Sequence, residues 1–280
     1  VNVADDFEHL GFRISPDIDT VTYTLAGLNN QTQGWGLEGE SWNFMAALER
    51  LGGDNWFLLG DQDIATHVER TRRLKTETLS AITADFARRL GIEQHIVPVS
   101  DDAVRTMVKT EQGLLPFQDY FVRLRCAPRV ERLEFPGIKG TRPSPGFATA
   151  LSDPALNAII ICPSNPFLSI LPILSIPGVR EALERRRVPL VAVSPIIGGQ
   201  AVKGPAAKIM DELGMAVSSL GVAAFYGSLL DGLMIDAVDA ALSSDIKGPA
   251  ILVGDTMMRD SNDRRRVAAD VLHFAERLAK

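Results

Sequence analysis

The sequence predicts an α/β fold, a Rossmann-like three-layer parallel sheet with helices on both faces, and three observations carry that prediction. From residue 151 to 280, short apolar segments alternate with segments of helical spacing. The apolar segments are hydrophobic at nearly every position, as strands are when both faces of a parallel sheet are covered. The segments between them are long enough to cross over from one parallel strand to the next. In order, Leu156 to Ile161 reads as a strand and Arg180 to Arg187 as a helix opened by Pro177 and Gly178. Val188 to Val193 reads as a second strand, Gly204 to Leu213 as a helix stopped by Gly214, and Val222 to Leu230 as another helix. Leu233 to Ile235 and Ile251 to Val253 are further short strands. Asp263 to Leu278 closes the chain as a helix, with Val267, Val271, Phe274 and Leu278 three or four apart.

The first half is less regular. Val1-Asn2-Val3 reads as a strand. Ser41 is a fair N-cap for a helix carrying Phe44, Leu48 and Leu51 and closed by Gly52-Gly53. Ile82, Phe86 and Leu90, four apart, mark a second helix closed by Gly91. Then the period changes: His95 to Val99, Arg105 to Thr110 and Pro116 to Arg125 read as strands of a hairpin-rich stretch, and Lys139 to Pro145 as a loop. Residues from about 40 to 150 are therefore expected as a helical and hairpin insertion or subdomain on the parallel core at 151–280, within one 280-residue domain.

Composition narrows the function classes. With 46% hydrophobic residues the chain can bury a sizeable core. The net charge of −6 argues against binding extended nucleic acid, which needs a basic face. The basic runs Arg70–Arg73, Arg185–Arg187 and Arg264–Arg266 lie in charge-mixed helical stretches and read as solvated helix faces. Cys126 and Cys162 have neither metal-ligand spacing nor the numbers of a disulfide framework, so they read as reduced thiols of a cytoplasmic protein. The most apolar stretch, Ile170 to Val179, is broken by Pro172 and Pro177, so no membrane span is expected. No signal peptide is visible. The chain opens on Val1 without an initiator Met, and reads as starting inside a domain.

Four segments could carry chemistry. Ala4-Asp5-Asp6 follows the first strand, where open α/β sheets bind ligands, although a polar loop capping a helix would look the same. In Ser15-Pro16-Asp17-Ile18-Asp19-Thr20, two carboxylates two apart in a turn can both reach one hard cation, the alternative being an Asx-turn before a capped helix. As turn residues they carry little stability, so Asp19→Asn is expected to spare the fold. Asp5, Asp6, Asp17 and Asp19 would repel one another unpaired, which makes a metal or a basic ligand a reason to gather them. In Gly60-Asp61-Gln62-Asp63, a helix beginning near Asp63 would set Thr66, His67 and Arg70 on one face. Finally, Pro163-Ser164-Asn165-Pro166 and Ser194-Pro195-Ile196-Ile197-Gly198-Gly199 each follow a strand, and Lys203-Gly204 adds a cation. Two such loops at one sheet edge suit a phosphate or nucleotide, although neither is a P-loop. There is no G-x-S-x-G, and His9, His67, His95 and His273 lack metal spacing.

As a set and in this order, several motifs resemble the 2-phospho-L-lactate transferase family of coenzyme F420 biosynthesis, nearly end to end. They are Asn2–Asp6, Gly11, Ser15–Thr20, Gly60–His67, Ser100-Asp101-Asp102, Phe117-Gln118-Asp119, Pro163–Pro166, Ser194–Gly199 and Lys203-Gly204-Pro205. The resemblance implies a magnesium-dependent transferase. The terminal ribityl hydroxyl of the deazaflavin Fo attacks the phosphorus that bears a three-carbon acid in a guanosine diphosphate-linked donor, and GMP leaves. The acid is 2-phospholactate in archaea and phosphoenolpyruvate in many bacteria. The family begins with a strand and a Gly-rich turn near the donor phosphates, and this sequence starts beyond them. The resemblance assigns Asp5, Asp6, Asp17 and Asp19 to magnesium, with Asp19 and Asp6 catalytic. It assigns Asp19, Asp61, Asp63, Thr66, His67 and Arg70 to the acceptor. Ser164, Asn165, Pro166, Ser194, Ile197, Gly198, Gly199, Lys203 and Gly204 go to the nucleotide. It is compatible with a homodimer, and the charge and hydropathy pattern predict no nucleic-acid or membrane partner.

Two other readings compete. A non-catalytic nucleotide-sugar-binding regulator of the same fold also has an early Asp-Asp, but resembles a pattern with a Gly/Ser-rich stretch next, where this chain has Phe7-Glu8-His9-Leu10. A haloacid-dehalogenase-type phosphatase has a D-x-D-x-T/V motif like Asp17–Val21, but needs it at the end of a buried strand, and Gly11–Pro16 is a poor one.

Overall fold

A computed structural model describes residues 1–202 and 204–279, and its contacts divide the chain into two units, Val1–Ala148 and Thr149–Lys280. The segment from about 40 to 148 thus shares a unit with residues 1–39.

In the first unit, Val1-Asn2-Val3 runs beside 97–99 without forming a regular strand. The Val1 nitrogen donates to Val97 O (2.7 Å) and Val99 N to Val1 O (2.8 Å), the offset of a parallel pair. Ala4–Asp6 and Ser100–Asp102 therefore leave this pair at the same end. A hairpin, β1 (Phe7–His9) and β2 (Phe12–Ile14), turns at Leu10-Gly11, both with positive φ, and leads through Ser15 into α1 (Pro16–Leu25). Its apolar side joins Met45, Leu59, Trp42, Phe44 and Phe57 in a local core.

Helix α2 (Asn43–Arg50) starts later than its sequence cap suggests. Ser41 does not cap it; the Ser41 hydroxyl donates to Asp61, whose carboxylate accepts the free Asn43 and Phe44 N–H groups (3.1 and 3.0 Å). Helices α3 (Asp63–Arg73) and α4 (Leu79–Arg89) follow. Three antiparallel strands, β3 (Met107–Thr110), β4 (Gly113–Pro116) and β5 (Val130–Glu134), pair in the order β4-β3-β5. The expected strand from Pro116 to Arg125 is instead a helical turn over Asp119–Arg123. Phe117 and Tyr120 are both buried, and Phe117 stacks on Phe121 at 5.3 Å, which is helical spacing rather than strand alternation.

Helix α5 (Pro145–Ser152) holds the division between units. In the second unit, β6 (Ile159–Ile161), β7 (Leu190–Val193), β10 (Gly232–Asp236) and β11 (Ala250–Gly254) form one parallel sheet in the order β11-β10-β7-β6. Every residue of β7 and β10 is buried, so both faces of the central strands are covered, as their composition predicts. On one face Val191, Val193 and Met234 pack on Val267, Val271, Phe274 and Ala275 of α10 (Ser261–Leu278). The other helices are α6 (Leu171–Ser175), α7 (Val179–Glu184), α8 (Ala206–Glu212) and α9 (Ser219–Tyr226). After β7, β8 (Ile196–Ile197) and β9 (Gln200–Ala201) form a hairpin. Gly198 and Gly199, at φ 58° and 75°, supply its two-residue turn, where a side chain would be strained. Among the described residues no helix is long and apolar enough to cross a membrane.

Phe274 is enclosed between α10 and the sheet, and truncation would leave a cavity that the close-packed strands cannot fill. Phe274→Ala is expected to destabilise the second unit by about 3–5 kcal/mol in chemical denaturation. A loss under 1 kcal/mol would show that α10 is not what covers this face.

Candidate active site

Asp17 and Asp19 stand in the first turn of α1, which Pro16 opens and where the helix dipole favours acidic groups. Helical residues two apart do not face each other. The two carboxylates therefore do not converge on one cation, as a turn would have allowed. Asp19 is buried against α3, whereas Asp17 accepts a hydrogen bond from Asn2 Nδ2 (2.9 Å).

Asp19 meets Arg70, which is 1% exposed and so is no part of a solvated face. Arg70 Nη1 donates to Asp19 Oδ2 (3.0 Å) and Nη2 donates to Asp19 Oδ1, a bidentate pair. Nη1 also lies 3.4 Å from the Arg13 carbonyl. Burial works against the guanidinium's charge, but Asp19 outweighs it and holds the Arg70 pKa above its ordinary value. His67, one turn earlier, is buried with Nδ1 3.8 Å from Asp19 Oδ2 and Nε2 3.3 Å from Asp63 Oδ2. The Nε2 contact is too poorly aligned to be a hydrogen bond. The Tyr23 hydroxyl donates to Asp63 and lies 2.9 Å from the Thr66 hydroxyl. Burial, then the charges of Asp19 and Asp63, raise the Tyr23 pKa, so it remains a neutral donor. Asp63 resists the upward push of burial because the His67 ring lies against its carboxylate and Tyr23 donates to it, and its pKa is lowered.

One face of α3 thus brings Asp63, Thr66, His67 and Arg70 together with Asp19. Asp61 is apart, its carboxylate taken by Ser41, Asn43 and Phe44. The Ser41 bond, then the Phe44 N–H, lower its pKa to about 2. Ligand atoms of Asp19, Asp63 and His67 lie within 4.8 Å of one another, but both Asp19 oxygens are already held by Arg70. A cation there would have to displace a buried guanidinium.

The other three carboxylates differ. Asp5 is buried, with Thr106 Oγ1 3.4 Å from Oδ1, and its pKa is raised well above the usual range by burial, then by Asp17 and Asp6. Asp17 is raised by burial against the pull of its Asn2 bond. Asp6 accepts from Ser15 Oγ at Oδ2 (2.7 Å), while its Oδ1 is enclosed without a partner. Burial pushes Asp6 up to about 7, although the Ser15 bond and the charges of Arg70 and Arg105 oppose it. A buried carboxylate oxygen with no donor suits a hard cation. Magnesium needs only one or two carboxylates when phosphates and waters complete its shell. Asp6 fits that requirement, with Asp5 and Asp17 beside it as charge.

In the second unit, the loops after β6 and β7 leave the carboxyl edge of the parallel sheet. Asn165 Oδ1 caps the turn beginning at Pro166 by accepting Phe167 and Leu168 N–H (3.0 and 3.2 Å). Its Nδ2 is buried without a partner, beside Ser164. Ser194 is tied inward, its hydroxyl 3.2 Å from Ile196 N and 3.1 Å from Ser219 Oγ. The Gly198 N–H goes to Asp239 (3.1 Å), so it is spent within the fold. Ile197 and Gly199 belong to the β8–β9 hairpin, Gly204 precedes α8, and Lys203 lies outside the described residues.

Sequence reasoning missed Asn2, which bridges Ala4 N and Asp17, and Tyr23, Arg105 and Asp239. Asn2 had a signal, an amide beside clustered acids. Tyr23 had one too: with Asp19, four residues earlier, it lies on one face of α1.

The family model for 2-phospho-L-lactate transferase CofD matches residues 1–245. A phosphoenolpyruvate transferase of Streptomyces coelicolor is 37% identical over 284 residues, covering 98% of this chain and 88% of the relative. A 2-phospho-L-lactate transferase of Methanosarcina mazei is 36% identical, covering 97% and 89%, and one of Methanopyrus kandleri 38%, covering 99% and 89%. Among solved structures, a UPF0052-family protein of Bacillus halodurans aligns with a TM-score of 0.58 at 15% identity, over 97% of this chain and 89% of that one, and shares its fold.

Two outcomes follow from this geometry. Asp19→Asn leaves a buried guanidinium without its counter-charge and is expected to cost about 3–5 kcal/mol in thermal or chemical unfolding, so the substitution does not spare the fold. Asp19→Leu combined with Arg70→Met removes both charges and recovers much of the loss; an Asp19→Asn protein as stable as the parent refutes the pairing. The second outcome concerns pH. Unfolded Asp6 ionises near 3.8, whereas the folded protein keeps the proton to about 7, so stability falls as pH rises through that window. In EDTA, the melting temperature of Asp6→Asn should match the parent below this window and exceed it by several degrees above it. An advantage independent of pH would show that Asp6 ionises normally in the fold.

Proposed function

The chain belongs to the 2-phospho-L-lactate transferase family, and from that premise we propose that it transfers a phospho-three-carbon-acid group, phospholactate or phosphoenolpyruvate, in coenzyme F420 biosynthesis. The donor is the guanosine diphosphate-linked acid and the acceptor the deazaflavin Fo. The terminal ribityl oxygen of Fo forms a bond to the phosphorus bearing the acid, the bond from that phosphorus to GMP breaks, and the product is a phosphodiester. The hydroxyl proton passes to a carboxylate.

The observation that carries this reading is Asp6, whose Oδ1 is enclosed without a partner and whose pKa is about 7. An enclosed carboxylate oxygen without a donor can take a hard cation or accept the proton of a hydroxyl. Asp19 is a weaker candidate because both its oxygens are engaged by Arg70. In this reading Asp19 fixes Arg70 and His67, while Thr66, His67 and Arg70 form a rigid polar wall toward the acceptor. Asp6, flanked by Asp5 and Asp17, holds magnesium, which when bound neutralises charge on the donor phosphates. On the second unit, Asn165 Nδ2 and the Ser164 and Pro166 backbone support nucleotide binding, at the sheet edge where such ligands bind.

The test incubates the protein with Fo, magnesium and each guanylylated three-carbon acid, and follows products by mass. GMP and the Fo phosphodiester should appear in equal amounts, and with neither donor should GMP form without Fo. Failure to release GMP with either donor contradicts the reading. Asp6→Asn is expected to lower kcat by about 10²-fold or more while the KM for Fo changes little.

A further inference from the structure

The cleft at Asp6 holds two arginines that the reading above leaves without a role. It measures about 290 Å³ and is lined by Val3, Asp6, Arg13, Ser15, Thr78 and Arg105, among others. Arg105 is half-buried, and among the described residues it makes no ion pair. Its guanidinium donates to the neutral Val104 carbonyl (2.7 Å). Burial lowers the Arg105 pKa against the pull of Asp6, so this is a desolvated cation without a committed counter-ion. Arg13 is near enough to disfavour its charge further while exposed Glu8 favours it, and among the described residues the Arg13 guanidinium makes a loose contact with that Glu8 (3.7 Å) and no closer ion pair.

The acidic groups of the cleft are already engaged. Glu77 is held by Arg73, Asp101 accepts Ser80 N–H (2.7 Å), and Asp102 accepts Arg142 N–H (2.9 Å). Asp6 accepts from Ser15 Oγ (2.7 Å). Two like charges gathered in a concavity, one of them half out of water, cost free energy until an anion joins them. Planar guanidinium forks match a carboxylate or a phosphate oxygen pair. The cleft volume is at the lower limit for ligand sites and suits a three-carbon acid.

We propose that Arg13 and Arg105 form the seat for the carboxylate of the donor's three-carbon acid, an inference that rests on the transferase reading for the identity of that acid. Phospholactate and phosphoenolpyruvate both carry the carboxylate, so the seat accepts either and does not select between them. It anchors the acid beside Asp6 and leaves its phosphorus to the reacting groups. Arg13 and Arg105 are therefore binding and positioning residues.

Calorimetric titration with phosphoenolpyruvate, pyruvate and inorganic phosphate tests this on the parent, Arg105→Gln, Arg105→Lys and Arg13→Gln proteins. GDP binding and melting temperature serve as controls. Phosphoenolpyruvate should bind Arg105→Gln about 10-fold or more weakly than the parent, as expected for a lost charged hydrogen-bond pair, with partial retention in Arg105→Lys. Arg13→Gln, on a half-buried strand position, should show the same direction of change without loss of fold. Pyruvate should compete with phosphoenolpyruvate, and GDP affinity should be unchanged. Equal phosphoenolpyruvate binding by parent, Arg105→Gln and Arg13→Gln overturns the seat. So does competition by phosphate but not by pyruvate, which would make it a phosphate site. If the seat behaves as stated but the parent neither binds GDP nor releases GMP with Fo, the transferase reading fails and the anion seat stands.

Discussion

The buried Asp19–Arg70 pair is the constraint on which the rest of the first unit's chemistry depends. It joins the first turn of α1 to the middle of α3. The guanidinium also lies 3.4 Å from the Arg13 carbonyl, and the neighbouring Thr71 hydroxyl accepts the Arg13 N–H (2.7 Å). Helix α3 thereby clamps α1 and β2 together. Removing two charges from water is costly, and such a pair is retained when its geometry does something that apolar packing cannot. Here it orients His67 and, through Asp63, the Tyr23–Thr66 pair, so that one helix face becomes a fixed polar wall.

The same pair determines the electrostatics next to it. Arg70 is the cation buried most deeply among these acids, and both its terminal amines are committed to Asp19. Asp5, Asp6 and Asp17 are left with neutral partners, Thr106, Ser15 and Asn2. Burial raises their pKa values, and at Asp5 the charges of Asp17 and Asp6 add to it. A site of this kind is poised for what it lacks, a metal ion, a proton or a cationic neighbour. Four acids close in sequence therefore divide into one structural ion pair and three groups available for chemistry.

Much of the second unit was legible in the sequence because a parallel sheet built around fully buried central strands has a composition of its own. Ile159–Ile161, Leu190–Val193 and Leu233–Ile235 are apolar without interruption, and the Val267, Val271 and Phe274 spacing marks the helix that covers them. The shared face of Thr66, His67 and Arg70 was legible from helical periodicity alone. What was not legible depends on contacts distant in sequence. Asp61 looks like a site residue by spacing, but its carboxylate caps α2 from 17 or 18 residues away. Arg70 reads as one of a basic run until Asp19, 51 residues earlier, is brought against it. Gly198-Gly199 reads as an anion loop, yet its torsions form a hairpin turn and Asp239 takes its N–H. Phe117 to Phe121 is short and apolar enough to suit a strand or a helical turn, and only burial decides.

Asp6 is the uncompensated carboxyl of the cluster, its Oδ1 enclosed without a partner. Site-resolved carboxyl-carbon NMR across a pH titration, in EDTA and then with magnesium, tests it most directly. The expected midpoint for Asp6 is about 7 without metal, moved down when magnesium binds. A midpoint in the ordinary carboxylate range without metal, unmoved by magnesium, would contradict it.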